Sequence, residues 1–230
     1  MKKSLQTLLA WLSLAVAAYA IAAYAVLPLG AVLHPDIRLS FAAHVPALVY
    51  LHVFAAAAAL LLGPLQFRAD LRARWPTLHR GLGRVYLALG VGLGGLSGLA
   101  LAANAYGGAW SRAGFATLAL LWLATGVLAL QRILRGDVAG HRRWMARNFA
   151  LTLAAVTLRL YLPAAIVGGL SLALAYPVVA WLCWLPNLAL AEWLLSRAAP
   201  AALATRRAGG AGRRAGWRRA FGAGPAESAH

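Results

Sequence analysis

Residues 45–66 read VPALVYLHVFAAAAALLLGPLQ, and residues 67–84, directly after them, read FRADLRARWPTLHRGLGR. The first string carries no charge and is long enough for a helix to cross ~30 Å of hydrocarbon, which takes roughly 20 residues. In lipid every backbone N–H and C=O has to be satisfied within the segment, so such a run crosses as a helix. The second string holds Arg68, Arg72, Arg74, Arg80 and Arg84 against one acid, Asp70, and belongs in water or among headgroups.

The same alternation runs outward in both directions. Apolar runs fall at about 5–27, 45–66, 82–104, 113–134, 148–169 and 174–195, which predicts an all-α membrane protein of six transmembrane helices. The first run follows Lys2 and Lys3 and contains Ala23, Tyr24 and Ala25. It is either a retained helix or the core of a cleaved signal peptide. The composition agrees with the spans: 62% hydrophobic, 12% charged, mean hydropathy +0.71. A formal charge of +17 would suggest nucleic acid in a soluble domain, but here the basic residues sit between apolar runs, so no specific nucleic-acid partner is expected. Cys183, the single cysteine, lies inside an apolar run with no partner for a disulfide or a thiolate metal site.

Counting the basic residues orients the spans. Two precede the first run, five lie between Arg68 and Arg84, five between Arg132 and Arg147, and seven from Arg197 onward, while the opposite loops hold Arg38 and Arg112. The positive-inside rule places both termini in the cytoplasm of a bacterial inner-membrane protein. Trp75, Tyr106, Trp110, Tyr176 and Trp193 near span ends suit interfacial aromatic belts, with ordinary packing as the alternative for each. Residues 198–230 turn to Ala, Gly, Arg and Pro, a composition that cannot bury enough surface to fold. The division is a six-helix domain over 1–197 and a disordered tail over 198–230, whose arginine pairs would be drawn to anionic lipids.

The two arginine-rich loops share an order of residues. Leu65, Gln66, Arg68, Leu71, Arg72, His79 and Arg80 run parallel to Leu130, Gln131, Arg132, Leu134, Arg135, His141 and Arg142. Read as a duplication, spans two to five form a four-helix bundle of two repeated hairpins about an axis along the membrane normal. His79 and His141 would then face each other at one depth, a recurring way to hold the iron of a b-type haem. Arg80, Arg84, Arg142, Arg143 and Arg147 would meet its propionates, and Gly83 would let the ring lie against the backbone. Interfacial histidines among topology-setting arginines are the plain alternative, and a quinone or a lipid headgroup is another occupant.

A second polar group lies inside the spans. Arg159 falls near the middle of span five, where an unpaired charge costs between ~2.5 and 17 kcal/mol, so it should face the bundle or water. At ~1.5 Å per residue, Arg159, His52, Ser97 and Trp122 come to about 10 to 15 Å below the outer surface, which makes an outer-half pocket conceivable. Glu192 is expected near the cytoplasmic edge as an ion-pair partner for arginines, and Asp36 in the outer loop. His44 and His52 are ~12 Å apart along one helix, too far to share an ion. Gly90, Gly94 and Gly98 repeat at four-residue steps and should place span three centrally. No phosphate-binding glycine loop, Ser-His-Asp order or His-Glu-x-x-His motif occurs.

The run Gly63-Pro64-Leu65-Gln66-Phe67, the run Trp75-Pro76-Thr77-Leu78-His79-Arg80 and the run Gly83-Arg84-Val85-Tyr86 resemble a bacterial domain-of-unknown-function family of predicted multi-pass membrane proteins. His141-Arg142-Arg143-Trp144-Met145, Arg147-Asn148, Leu158-Arg159-Leu160, Trp184, Pro186-Asn187 and Glu192-Trp193 continue the resemblance, which covers roughly 40–195. It implies a membrane protein and supplies no mechanism. The hairpins are also broadly similar to di-haem cytochromes of the b561 type, which carry histidine pairs at both depths. No histidine stands near Thr117, opposite His52, so at most one haem is expected.

Three functions follow as expectations. The first is a redox or redox-assembly protein with one haem b, or a quinone, between spans three and five, working with a redox partner. The second is a non-redox binding or transport protein using the pocket of His52, Ser97, Trp122 and Arg159. The third is a scaffold without a ligand.

Overall fold

A computed structural model describes residues 3–29, 31–42 and 46–197. All described secondary structure is helical. Six candidate spans emerge: Ser4–Val26, Pro46–Gln66, Pro76–Ala102, Gly108–Leu134, Val138–Val167 and Leu172–Arg197. The chain runs α1 (Lys3–Val26), α2 (Pro35–Ala42), α3 (Pro46–Gln66), α4 (Ala69–Arg74), α5 (Pro76–Val85), a π-helical segment (Tyr86–Leu93), α6 (Gly94–Ala102), α7 (Gly108–Leu134), α8 (Val138–Thr152), α9 (Ala154–Val167) and α10 (Leu172–Leu182), with helix again over 185–197. Lys2, His44 and the tail from 198 lie outside the described residues.

Spans three and five begin earlier than their apolar runs. Span three starts at Pro76 rather than 82, because proline is well placed in a first helical turn and the arginines of α5 stay exposed on the polar side. Span five starts at Val138 rather than 148. Gly136, at φ +75°, ends α7, and the Asp137 carboxylate accepts a hydrogen bond from the Gly140 N–H at 2.8 Å to cap α8. Polar first turns of this kind are invisible to a hydropathy reading.

Span two packs on span three, three on four, four on five, and α8 returns to α3, closing a four-helix ring. α1 lies against α3 and α9, and α10 against α7 and α9. Small residues permit the close approaches. Ala55, Ala57 and Ala59 of α3 are buried, and a methyl added at Gly90 would stand 2.9 Å from the Ala59 methyl. The glycine steps do place span three centrally, with different neighbours at each. Gly90 meets Ala59, Gly94 makes room for the Trp122 ring, and Gly98 makes room for His52.

The repeat has a geometric counterpart. His79 and His141 differ by 62 positions, and so do Tyr86 and Asn148. Tyr86 donates to Asn148 Oδ1 at 2.7 Å, so equivalent positions of spans three and five meet across the ring. Both spans also lose regular α-helix at one register, span three in the π segment and span five at Leu153, where α8 gives way to α9. A second unit begins at Glu192, and in its described part, 192–197, the Arg197 guanidinium lies 3.9 Å over the Trp193 ring.

Candidate functional site

A cavity of about 240 Å³ opens within the first compact unit, between α1, α3, α6, α7, α8, α9 and α10. His52, Trp122 and Arg159 all line it. Ser97 stands behind the wall. It is 2% exposed, its hydroxyl is 2.6 Å from the Leu93 carbonyl oxygen, and its Oγ is 3.4 Å from His52 Nδ1. Most of the remaining lining is Ala, Val, Leu and Phe.

The irregular helices put the polar groups there. The π segment shifts the register of α6, so that Gly94 and Gly98 face the cavity and accept the rings of Trp122 and His52. His52 donates from Nδ1 to the Gly94 carbonyl at 2.9 Å, which fixes the ring and leaves Nε2 as its acceptor. Trp122 contributes its ring alone, because its indole N–H donates to Thr152 Oγ1 at 2.9 Å. Behind that bond lies a saturated buried network. Tyr86 Oη is 2.9 Å from Thr152 Oγ1, and the Asn148 amide donates to the Trp122 carbonyl at 2.7 Å and to Thr125 Oγ1 at 2.9 Å. Saturation makes this network a rigid wall.

Arg159 is the unsaturated member. Its Nη1 donates to the Ala155 carbonyl one turn earlier at 3.0 Å, and no carboxylate pairs with it among the described residues. A guanidinium has five N–H donors, so most remain for whatever enters. Its charge reaches His52 and Tyr24. Tyr24 and Tyr176 also line the cavity, and neither hydroxyl has a hydrogen-bond partner among the described residues.

Neither tyrosine came from the sequence as a site residue. Tyr176 is a correction to the aromatic-belt reading: it is 5% exposed, packed edge-on to Tyr106 and against Phe115, because α10 turns that face onto α7. A spacing argument was available for Tyr86 and Asn148, since the offset that relates His79 to His141 relates them as well.

At the arginine-rich end, His141 donates from Nδ1 to the Ala129 carbonyl at 2.9 Å, whereas His79 Nδ1 is buried with no partner among the described residues. Where a haem would need Gly83 bare, the Gln66 carboxamide lies instead: a methyl at Gly83 would stand 3.0 Å from Gln66 Oε1. Arg80, Arg84, Arg142 and Arg143 are exposed, and Arg147 sits over the Trp144 ring at 4.6 Å. Among the described residues no group of three His, Cys, Asp or Glu side chains is arranged for a metal ion. In the adjoining loop the Arg68 hydrogen bond holds the Asp70 carboxyl at about 2, well below the usual carboxylate range.

Compared with known proteins, the chain finds no match among curated sequences or solved structures. A family described as "Predicted membrane protein (DUF2306)" matches residues 49–195, which include both arginine-rich loops and all the spans around the cavity except the first. With well over half of its 230 residues inside that match, the chain belongs to this family of membrane proteins.

Proposed function

We propose that this membrane protein binds an apolar molecule with an anionic or strongly hydrogen-bond-accepting head in the cavity around Arg159. One observation carries the reading. A guanidinium with no carboxylate partner among the described residues stands in the wall of an apolar cavity inside a membrane span, where leaving it unpaired is costly. An acidic head on Arg159, with Tyr24 and Tyr176 as further donors and His52 Nε2 as acceptor, offsets that cost. The apolar body lies against the leucines, alanines and the Trp122 ring. The position suits capture or transport of an amphiphile from the bilayer.

The haem or quinone expected between His79 and His141 is a separate reading. The Gln66 carboxamide on Gly83 favours the cavity over it as the main site.

The test uses a fluorescent long-chain fatty acid titrated into detergent-purified protein, with the matching fatty alcohol as control. The acid should bind at least tenfold more tightly than the alcohol, about 1.4 kcal/mol, and Arg159→Met should abolish the difference. Equal binding of acid and alcohol by the wild type would sink the proposal.

A further inference from the structure

The arginine-rich end holds a second cluster that the cavity does not use. Four buried side-chain polar atoms lack a partner among the described residues, and two of them, Gln66 Nε2 and His79 Nδ1, belong to this cluster. Gln66 is 8% exposed, and its carboxamide packs on Gly83, one turn beyond His79 on the same helix face. Arg72 joins them: its Nη1 donates to the Gln66 carbonyl at 3.1 Å, and its charge is felt at His79. His141, with Nδ1 committed to Ala129, has Nε2 left.

The chemistry of the cluster is one-sided. Gln66 offers amide hydrogens, Arg72 offers guanidinium hydrogens and the His79 ring offers one more, while His141, its Nδ1–H already used, offers one from Nε2 only when both ring nitrogens carry hydrogen. The nearby acids are engaged elsewhere, Asp70 with Arg68 and Asp137 with Arg132 and the Gly140 N–H. Both histidines lie in the opening turns of α5 and α8, where the helix dipole favours negative charge. Arg80, Arg84, Arg142 and Arg143 add a positive field that repels a metal cation and attracts an anion.

We propose that Gln66, Arg72, His79 and His141 form an oxyanion site for a phosphate group, supplied by an anionic phospholipid or by free phosphate. The amide of Gln66 and the His79 ring supply the buried contacts, and Arg72 supplies the charge at the rim. This site lies at the end of the bundle away from Arg159 and does not depend on the cavity's ligand.

Two probes separate the sources. Native mass spectrometry of the full chain in phosphatidylglycerol nanodiscs reads retained phospholipid, and calorimetry in detergent reads inorganic phosphate. Gln66→Met and His79→Phe should each weaken binding at least tenfold, while Arg135→Gln, an exposed arginine at the same end, should change it less than twofold. Retained lipid without phosphate heat assigns the site to a headgroup, and the converse assigns it to the free ion. If Gln66→Met fails to fold, Arg72→Gln carries the test, with the same tenfold loss expected. Binding of neither probe by the wild type overturns the proposal. So does a loss in Arg135→Gln equal to that in Gln66→Met, or a haem absorption band that His79→Ala removes.

Discussion

Gly90 and Gly98 lie two helical turns apart on span three and differ in what an added methyl would meet. At Gly90 the methyl would stand 2.9 Å from the Ala59 methyl and 3.1 to 3.2 Å from Ala59 backbone atoms, none of which can swing aside. Gly90→Ala should therefore cost about 1–3 kcal/mol through overpacking between spans two and three. At Gly98 the neighbour is His52 Cε1 at 2.9 Å, the end of a side chain held by its bond to the Gly94 carbonyl. Gly98→Ala should change stability by less than about 1 kcal/mol, because the helix gains propensity while the ring gives way. It should nonetheless weaken fatty-acid binding, since the displaced imidazole enters the cavity. Thermal unfolding in detergent and the fluorescence titration separate the two outcomes; equal stability losses would contradict the assignment. His52, Trp122 and Arg159 were legible as neighbours because depth can be counted along straight helices. Tyr24 and Tyr176 were not, because the sequence shows a tyrosine near a span end but not which way its helix is turned.

At the scale of elements, the π segment Tyr86–Leu93 and the break at Leu153 occupy one register of the repeat: Leu153 less 62 is 91, within the segment. Two equivalent helices that lose α-geometry at equivalent places, both beside the cavity, point to an irregularity that shapes the site. Six spans and their hairpin pairing were readable from hydropathy and the shared loop order. The π segment was not, since a run of Tyr, Leu, Ala, Gly and Val fits any helix. The early starts of spans three and five also escaped, because their opening turns carry the arginines and hydropathy registers only what faces lipid. Deleting Leu89 should convert the segment towards α-helix and rotate α6 by about 100° relative to α5, one residue's turn. Gly94 and Gly98 would then leave Trp122 and His52, and the fatty-acid titration should lose its signal, with a lower melting temperature. A deletion variant that melts and binds like the wild type would make the π segment incidental.

For the molecule as a whole, we propose that the charge pattern sets which side of the membrane each loop faces. Six crossings return the chain to the side on which it starts, and the loops from Arg68 to Arg84 and from Arg132 to Arg147 fall together on one side, opposite Arg38 and Arg112. Held next to a cytoplasmic leaflet, the ten arginines of those two loops gain from anionic lipid what they would lose by translocation. Cys183 is 1% exposed, so the native chain is a silent background for thiol labelling. With a membrane-impermeant maleimide on intact cells, Arg38→Cys and Arg112→Cys should label directly, whereas Arg74→Cys and Arg135→Cys should label only after permeabilisation. That result would place the cavity's Arg159 in the outer half of the bilayer and the Gln66 and His79 cluster at the cytoplasmic headgroups. An anionic lipid of the inner leaflet would then be the nearest source of phosphate for that cluster. The reverse labelling pattern would exchange the two sites between leaflets and remove the positive-inside argument, leaving the helix packing and both local chemistries as they stand.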